Sequence, residues 1–222
     1  MNKNFLYATA TLVGTIIGVG IFGIPFVISK SGFLIGLSWL ILLGAVSILI
    51  NLSYGEIILR TKGIHRLTGY AEKYLGLWGK RLAAISLLFG FYGALLAYII
   101  IGGEFLFAIF SPLLGGTVLI YSLALFIFWA WGIFRGIKMI APAEFIMTVL
   151  LLLTVVIILG AGLPDLKLEN LTSVNFNHSV LPYGVILFSF GGLAAIPELR
   201  RILSQDRTKI KKAIILGSLI PL

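Results

Sequence analysis

The stretch "GTIIGVGIFGIPFVISK", residues 14–30, is apolar enough to lie within a membrane, yet it carries Gly18, Gly20, Gly23 and Pro25. Inside a helix, glycine costs about 1 kcal/mol and proline about 3 kcal/mol relative to alanine. A spanning helix with these residues near its middle is expected to break there. What such a break offers in exchange for lost helix decides how the chain is read.

The composition fixes the setting. Of 222 residues, 59% are hydrophobic and 11% are charged, and the mean hydropathy is +1.10. A soluble domain of this length lacks the polar surface to cover so much apolar side chain, so the class is an all-α polytopic membrane protein. Continuous apolar runs fall at about 5–28, 33–59, 82–110, 115–134, 139–162 and 180–203, and a seventh begins near 210. Each of the first six reaches the ~20 residues that cross ~30 Å of hydrocarbon as a helix. The runs do not alternate, which argues against strands. The chain stops about half a span into the seventh run and reads as an N-terminal fragment, a single transmembrane domain over 1–222. The first run follows Lys3 closely, lacks a cleavage site with a polar region after it, and reads as a retained span.

The net charge of +9 is a topology signal. With the N-terminus in the cytoplasm, Lys3, Arg60, Lys62, Arg66, Lys73, Lys80, Arg81, Arg135, Lys138, Arg200, Arg201, Arg207, Lys209, Lys211 and Lys212 fall inside. Only Lys30 and Lys167 fall outside. Fifteen basic residues against two place the N-terminus of a multi-pass protein in the cytoplasm, and the expected location is the plasma (inner) membrane. The partners are then the lipid bilayer, with anionic lipid contact as a by-product, and no nucleic acid. The inner connection Thr61–Lys80 suggests a short interfacial helix. The outer one, Pro164–Ser179, is polar, and its "NLT" at Asn170 is a glycosylation acceptor only in a eukaryotic host. There are no cysteines, so disulfides and thiolate metal sites are excluded.

The broken stretch has a counterpart. "GVGIFGIP" (18–25) and "FGGLAAIP" (190–197) align at a constant offset of 172, pairing Gly20 with Gly192, Ile24 with Ile196 and Pro25 with Pro197. Five spans separate the two starts, and an odd number of crossings reverses direction. Paired glycine- and proline-interrupted helices in corresponding positions point to an inverted-repeat transporter with its site at the breaks. The first five-helix repeat would occupy 5–162, and 180–222 would open the second. Glycines at this spacing also serve close helix packing alone, and that reading stays open.

"GTIIGVGIFGIPFV" resembles the first helix of the amino acid/auxin permease family, within the amino acid–polyamine–organocation superfamily. "FSFGGLAAIPEL" resembles that family's sixth helix, and "GIHRLTGYAEKYLG" (63–76) is similar to its loop between the second and third helices. Bacterial aromatic and hydroxy amino acid permeases are the nearest group. The resemblance implies ten or more helices in two inverted five-helix repeats, discontinuous helices 1 and 6, and a substrate gripped mainly by backbone.

Unwound backbone needs partners, because each unsatisfied polar group costs several kcal/mol in hydrocarbon. A zwitterionic amino acid supplies them. Its carboxylate suits the N–H groups around Gly18, Val19 and Gly20, at the positive end of a half-helix. Its ammonium suits the carbonyls around Phe188, Ser189 and Phe190. Gly191 and Gly192 leave room for approach to the backbone, Thr15 and Ser189 add hydroxyls, and Phe190 is placed to close over the ligand. Tyr98, midway along the third span, either lines the pocket or packs between helices.

Acidic residues within spans are functional candidates by default. Glu104 shares its span with no basic residue, and its readings are proton coupling, an outer gate, or a neutral or hydrogen-bonded group near the interface. Glu56, four residues before Arg60, suits an i,i+4 pair or a latch to the basic inner loops. Glu144 follows Pro142 in a first helical turn, where negative charge is favoured. Glu198, beside Arg200 and Arg201, suggests a surface ion pair. No histidine or carboxylate spacing suits a metal, no cofactor is implied, and no P-loop or convergent catalytic set points to an enzyme. The expected function is a symporter of neutral or aromatic amino acids, coupled to H⁺ or Na⁺, working by alternating access. A channel or a scaffold with kinked helices is the alternative.

Overall fold

The computed structural model describes residues 3–18, 20–135, 140–164, 166–203 and 206–222. No strand occurs among the described residues. The helices are α1 (Lys3–Ile17), α2 (Gly20–Ser31), α3 (Phe33–Arg60), α4 (Leu67–Leu114), α5 (Val118–Arg135), α6 (Ile140–Gly162), α7 (Leu168–Leu171), α8 (Leu181–Ser189), α9 (Ile196–Leu203) and α10 (Arg207–Leu219). Two compact units result, one from Met1–Lys80 with Thr148–Leu222 and one from Arg81–Met147.

Among the described residues, α3, α4 and Leu181–Leu203 are long and apolar enough to cross a membrane. The bent pair α1 and α2, at 48° to each other, adds a fourth candidate span. The described apolar parts of the fourth and fifth expected spans, Val118–Phe134 and Val149–Gly162, are shorter. No residue in the most apolar window of α4 is buried, so leucine, isoleucine and phenylalanine face outward, as lipid rather than water requires. The chain is a multi-pass all-α membrane protein.

A short helix does occur in the inner connection: it begins at Leu67 and is set off from the helix of the third span by a kink at Gly76 (φ 71°, ψ −166°). That conformation suits glycine and few other residues, so the turn falls where the sequence has Gly76. Lys80 reaches back across it to Glu72 at 2.9 Å.

In the first unit, α1 packs on α9 and α10, α2 on α8, and α3 on all three of α8, α9 and α10. Leu12, Ile16, Ile58, Ile186, Ile196, Leu199, Ile210 and Ile214 are almost fully enclosed there. The segment after α6 closes over the turn between α2 and α3. Asn175 N–H donates to Ser31 O (2.8 Å), its side-chain amide donates to Lys30 O (3.1 Å), and Trp39 Nε1 donates to Ser179 O (2.7 Å). Gly32, at φ 88°, makes that turn, and a Cβ there would lie 2.5 Å from Ser173 O.

In the second unit, α4 and α5 approach through small residues. A Cβ on Gly103 would meet Ser122 Oγ, and one on Gly102 would lie 2.4 Å from Leu125 Cδ2. Gly115 and Gly116, both at positive φ, turn the chain between them, and Tyr121 Oη donates to Gly115 O at 2.7 Å.

Candidate functional site

Helix α1 ends at Ile17, Gly18 takes φ 36°, and α2 starts at Gly20. Helix α8 ends at Ser189, and a single 3₁₀ turn, Leu193–Ala195, precedes α9. Both interruptions belong to the first unit, and they touch. A Cβ on Gly20 would fall 2.3 Å from Ser189 Cβ and 3.2 Å from its Cα. Ser189 Oγ donates to Ile16 O at 3.4 Å. On the other side, a Cβ on Gly192 would lie 2.9 Å from Ile16 Cγ1 and 3.0 Å from Leu12 Cδ1. Each glycine of the aligned pair therefore lies against the opposite broken helix. Ser189, minus the repeat offset, corresponds to Ile17, one residue from the Ile16 that faces Gly192.

This contact sorts the expected site residues into two groups. Gly20, Ser189, Phe190 and Gly192 are buried in the seam between the breaks. Thr15, Phe188 and Gly191 are exposed, and Gly18 is half-buried. At Gly20 the space left by the missing side chain is filled by Ser189, so close helix packing, left open by the sequence, is present there. The Thr15 hydroxyl donates to Thr11 O at 2.7 Å within its own helix. Gly18 N–H is taken by Gly14 O at 3.3 Å. Val19 lies outside the described residues.

The loose carbonyls after α8 are partly engaged. Phe188 O accepts from Gly191 N–H (3.2 Å), and Phe190 O accepts from Gly192 N–H (2.8 Å) and from Ser47 Oγ (3.2 Å). Ser47 was not singled out from the sequence, although a signal existed. Ser47, Asn51 and Tyr54 stand at i, i+4 and i+7 on α3, one helix face. Asn51 continues that face by donating to Ser218 Oγ on α10 at 3.3 Å.

Tyr98 and Glu104 belong to the second unit. Tyr98 packs edge-on against Trp129 of α5, ring centres 6.3 Å apart, and Glu104 is exposed on α4. Glu56 makes the expected i,i+4 pair and a second contact with a lysine of another helix. Its carboxylate meets Arg60 Nε at 2.8 Å, one turn along α3, and Lys211 Nζ of α10 at 3.4 Å. The Glu144 side chain lies outside the described residues.

Glu198 forms an exposed ion pair, as expected, and its partner is Arg201, at 3.1 and 3.3 Å. Arg200 is 3% exposed, and its guanidinium donates to the carbonyls of Ile58, Thr61 and Gly63 and to Tyr70 Oη. Helix geometry explains the split, because residues three apart share a face and residues two apart do not. A cation on the Ile58 carbonyl in the last turn of α3, and on those of Thr61 and Gly63 just beyond it, meets the negative end of the helix dipole.

Among the described residues, no group of histidine, cysteine, aspartate and glutamate could hold a metal.

Comparison with known proteins carries the family. The chain is 26% identical over its full length to Tyrosine-specific transport system 1 of Haemophilus influenzae, covering 55% of that protein. It is 27% identical to Tyrosine-specific transport system 2 of the same organism, covering 56%. It is 26% identical to Glutamine transporter 2 of Aliivibrio fischeri, covering 58%. The chain thus spans little more than half the length of these relatives. No solved structure matches it. The sequence profile of the Tryptophan/tyrosine permease family matches residues 1–222, the whole chain, and the protein belongs to that family.

Proposed function

We propose that the chain carries the first half of an amino acid symporter of the amino acid–polyamine–organocation superfamily, with its substrate site at the two helix interruptions. The observation that carries this is the reciprocal contact of Gly20 with Ser189 and of Gly192 with Ile16, in a family of permeases rather than enzymes. Near-twofold contacts at the repeat offset are what two inverted five-helix repeats produce. The relatives named for tyrosine and glutamine transport favour an aromatic or other neutral amino acid.

The substrate carboxylate takes backbone N–H groups around Gly18 and Gly20, at the positive end of α2, and the ammonium takes remaining lone pairs on the carbonyls of Phe188, Ser189 and Phe190. Because Gly20 and Gly192 are filled by helix contact, the ligand occupies the exposed side of the breaks, by Gly18, Phe188 and Gly191. Alternating access then consists of the first- and sixth-span pair tilting as one body, its seam kept closed by Ser189. The contacts of Lys30 with Asn175, and of Arg200 with Ile58 and Gly63, each join segments that the basic-residue bias assigns to one membrane side. They agree with that grouping of segments by side; the cytoplasmic N-terminus is proposed from the basic-residue bias, and the plasma membrane is the proposed location.

Glu56, held by Arg60 and Lys211, takes the role of a latch, and Glu104 that of the proton carrier. Uptake of radiolabelled amino acids by cells expressing the complete gene product tests the reading. Saturable uptake of an aromatic or neutral amino acid is expected, and Glu104→Gln is expected to flatten its dependence on external pH. Flux that rises linearly with concentration would indicate a channel. Normal proton coupling in Glu104→Gln would remove that residue from the mechanism.

A further inference from the structure

We propose that a groove between the end of α3 and the start of α10 holds an anionic phospholipid, its phosphate bridging Arg60 and Lys211. The groove is open, encloses about 840 Å³, and lies wholly within the first unit. Its walls change character along its length. Leu52, Ile57 and Ile215 line the apolar part, while Arg60 and Lys211 stand where α3 gives way to the polar segment 61–66. From Arg60 to Leu52 is eight residues, or ~12 Å of helix, so the groove descends from the polar boundary into the apolar stretch. A headgroup at one end and an acyl chain along the other match that gradient.

The charges are arranged for one phosphate. Arg60 and Lys211 both contact the Glu56 carboxylate, at 2.8 and 3.4 Å, which holds two cations from different helices close together. Their side chains remain 73% and 47% exposed, so donors are left over for a second anion. Arginine offers a paired N–H fork to phosphate, and lysine adds a point charge. Two cations against one carboxylate leave the groove positive. Tyr74, its hydroxyl bonded to Thr61 Oγ1 at 2.7 Å, supplies an exposed ring beside the boundary. The apolar walls select lipid over free phosphate, and basic sites between helices recruit anionic headgroups.

The test is lipid retention by the purified complete gene product, measured by native mass spectrometry after exchange into mixed phosphatidylglycerol and phosphatidylcholine. The reading is independent of transport, because no uptake is measured. Phosphatidylglycerol is expected to be retained about tenfold over phosphatidylcholine, and Arg60→Gln with Lys211→Gln is expected to abolish the preference. Glu56→Gln is expected to strengthen it, since removing the carboxylate frees both cations. A merely structural Glu56 would give the opposite sign, so this arm decides even where the double variant fails to fold. Lys212→Gln, outside the groove, should change nothing. Equal retention of the two lipids, unchanged preference in the double variant, weaker preference in Glu56→Gln, or full displacement by inorganic phosphate would overturn the proposal.

Discussion

At Gly20 a methyl group has nowhere to go. Its carbon would sit 2.3 Å from Ser189 Cβ and 3.2 Å from Ser189 Cα, a stem that cannot rotate away. Overpacking of this kind costs about 1–3 kcal/mol. Gly20→Ala is therefore expected to part the two breaks and cut uptake by about tenfold or more. Adding Ser189→Gly removes the overlapping Cβ and Oγ, and is expected to restore much of the uptake. Failure of that rescue, with the protein still inserted, would show that the two residues do not meet. Gly192→Ala should be milder, because it meets side-chain atoms of Ile16 and Leu12 at 2.9–3.1 Å rather than a Cβ and Cα. The glycines and their pairing were legible in the sequence from spacing alone. What fills the space beside each was not, because it depends on Ser189 and Ile16 across 172 residues of chain. A side chain and a ligand leave the same mark on a sequence: a glycine.

Among the elements, the ends of α3 and α10 rest on single residues. Hydrogen bonds to a charged group contribute about 1.5–3 kcal/mol each, and Arg200 makes several to the end of α3. Arg200→Gln is expected to lower the thermal midpoint by several degrees and to speed amide exchange in Ile58–Gly63. An unchanged midpoint would show the clamp to be idle. At the other terminus, Asp206 caps α10 by accepting from Lys209 N–H at 3.1 Å, and it pairs with Lys209 Nζ at 2.7 Å. The Lys209 side chain, followed by its backbone N–H, holds the Asp206 carboxyl below the usual aspartate range. A lowered value means that the cap's contribution is complete above the unfolded aspartate pKa of about 3.9 and is lost as pH falls through the folded value. Amides in the first turn of α10, corrected for intrinsic rates, should thus lose protection below about pH 4, and Asp206→Ala should show that loss at neutral pH. The breaks of the first and sixth spans could be read from glycine, since Gly18 and the Gly191–Gly192 pair lie in them, whereas Pro25 and Pro197 lie inside α2 and α9. Arg200 could not, because two adjacent arginines look alike until helix phase assigns Arg201 to Glu198 and turns Arg200 inward.

For the whole molecule, composition decided the class, and basic-residue bias decided which loops should lie together. Lys30 beside Asn175 and Gly63 beside Arg200 agree with that grouping. The polar face of Ser47, Asn51 and Tyr54 escaped notice because three moderately polar residues barely lower the hydropathy of a 28-residue span. The substrate itself was legible only through resemblance, since a site built from backbone leaves few side chains to recognise. The central claim is that an amino acid is bound where the two interrupted helices cross. Equilibrium binding of radiolabelled L-tyrosine to the purified complete gene product, wild type against Gly20→Leu, tests it most directly. Saturable binding in the wild type, lost in a variant that still inserts and folds, is the expected result. Undiminished binding by Gly20→Leu would contradict it.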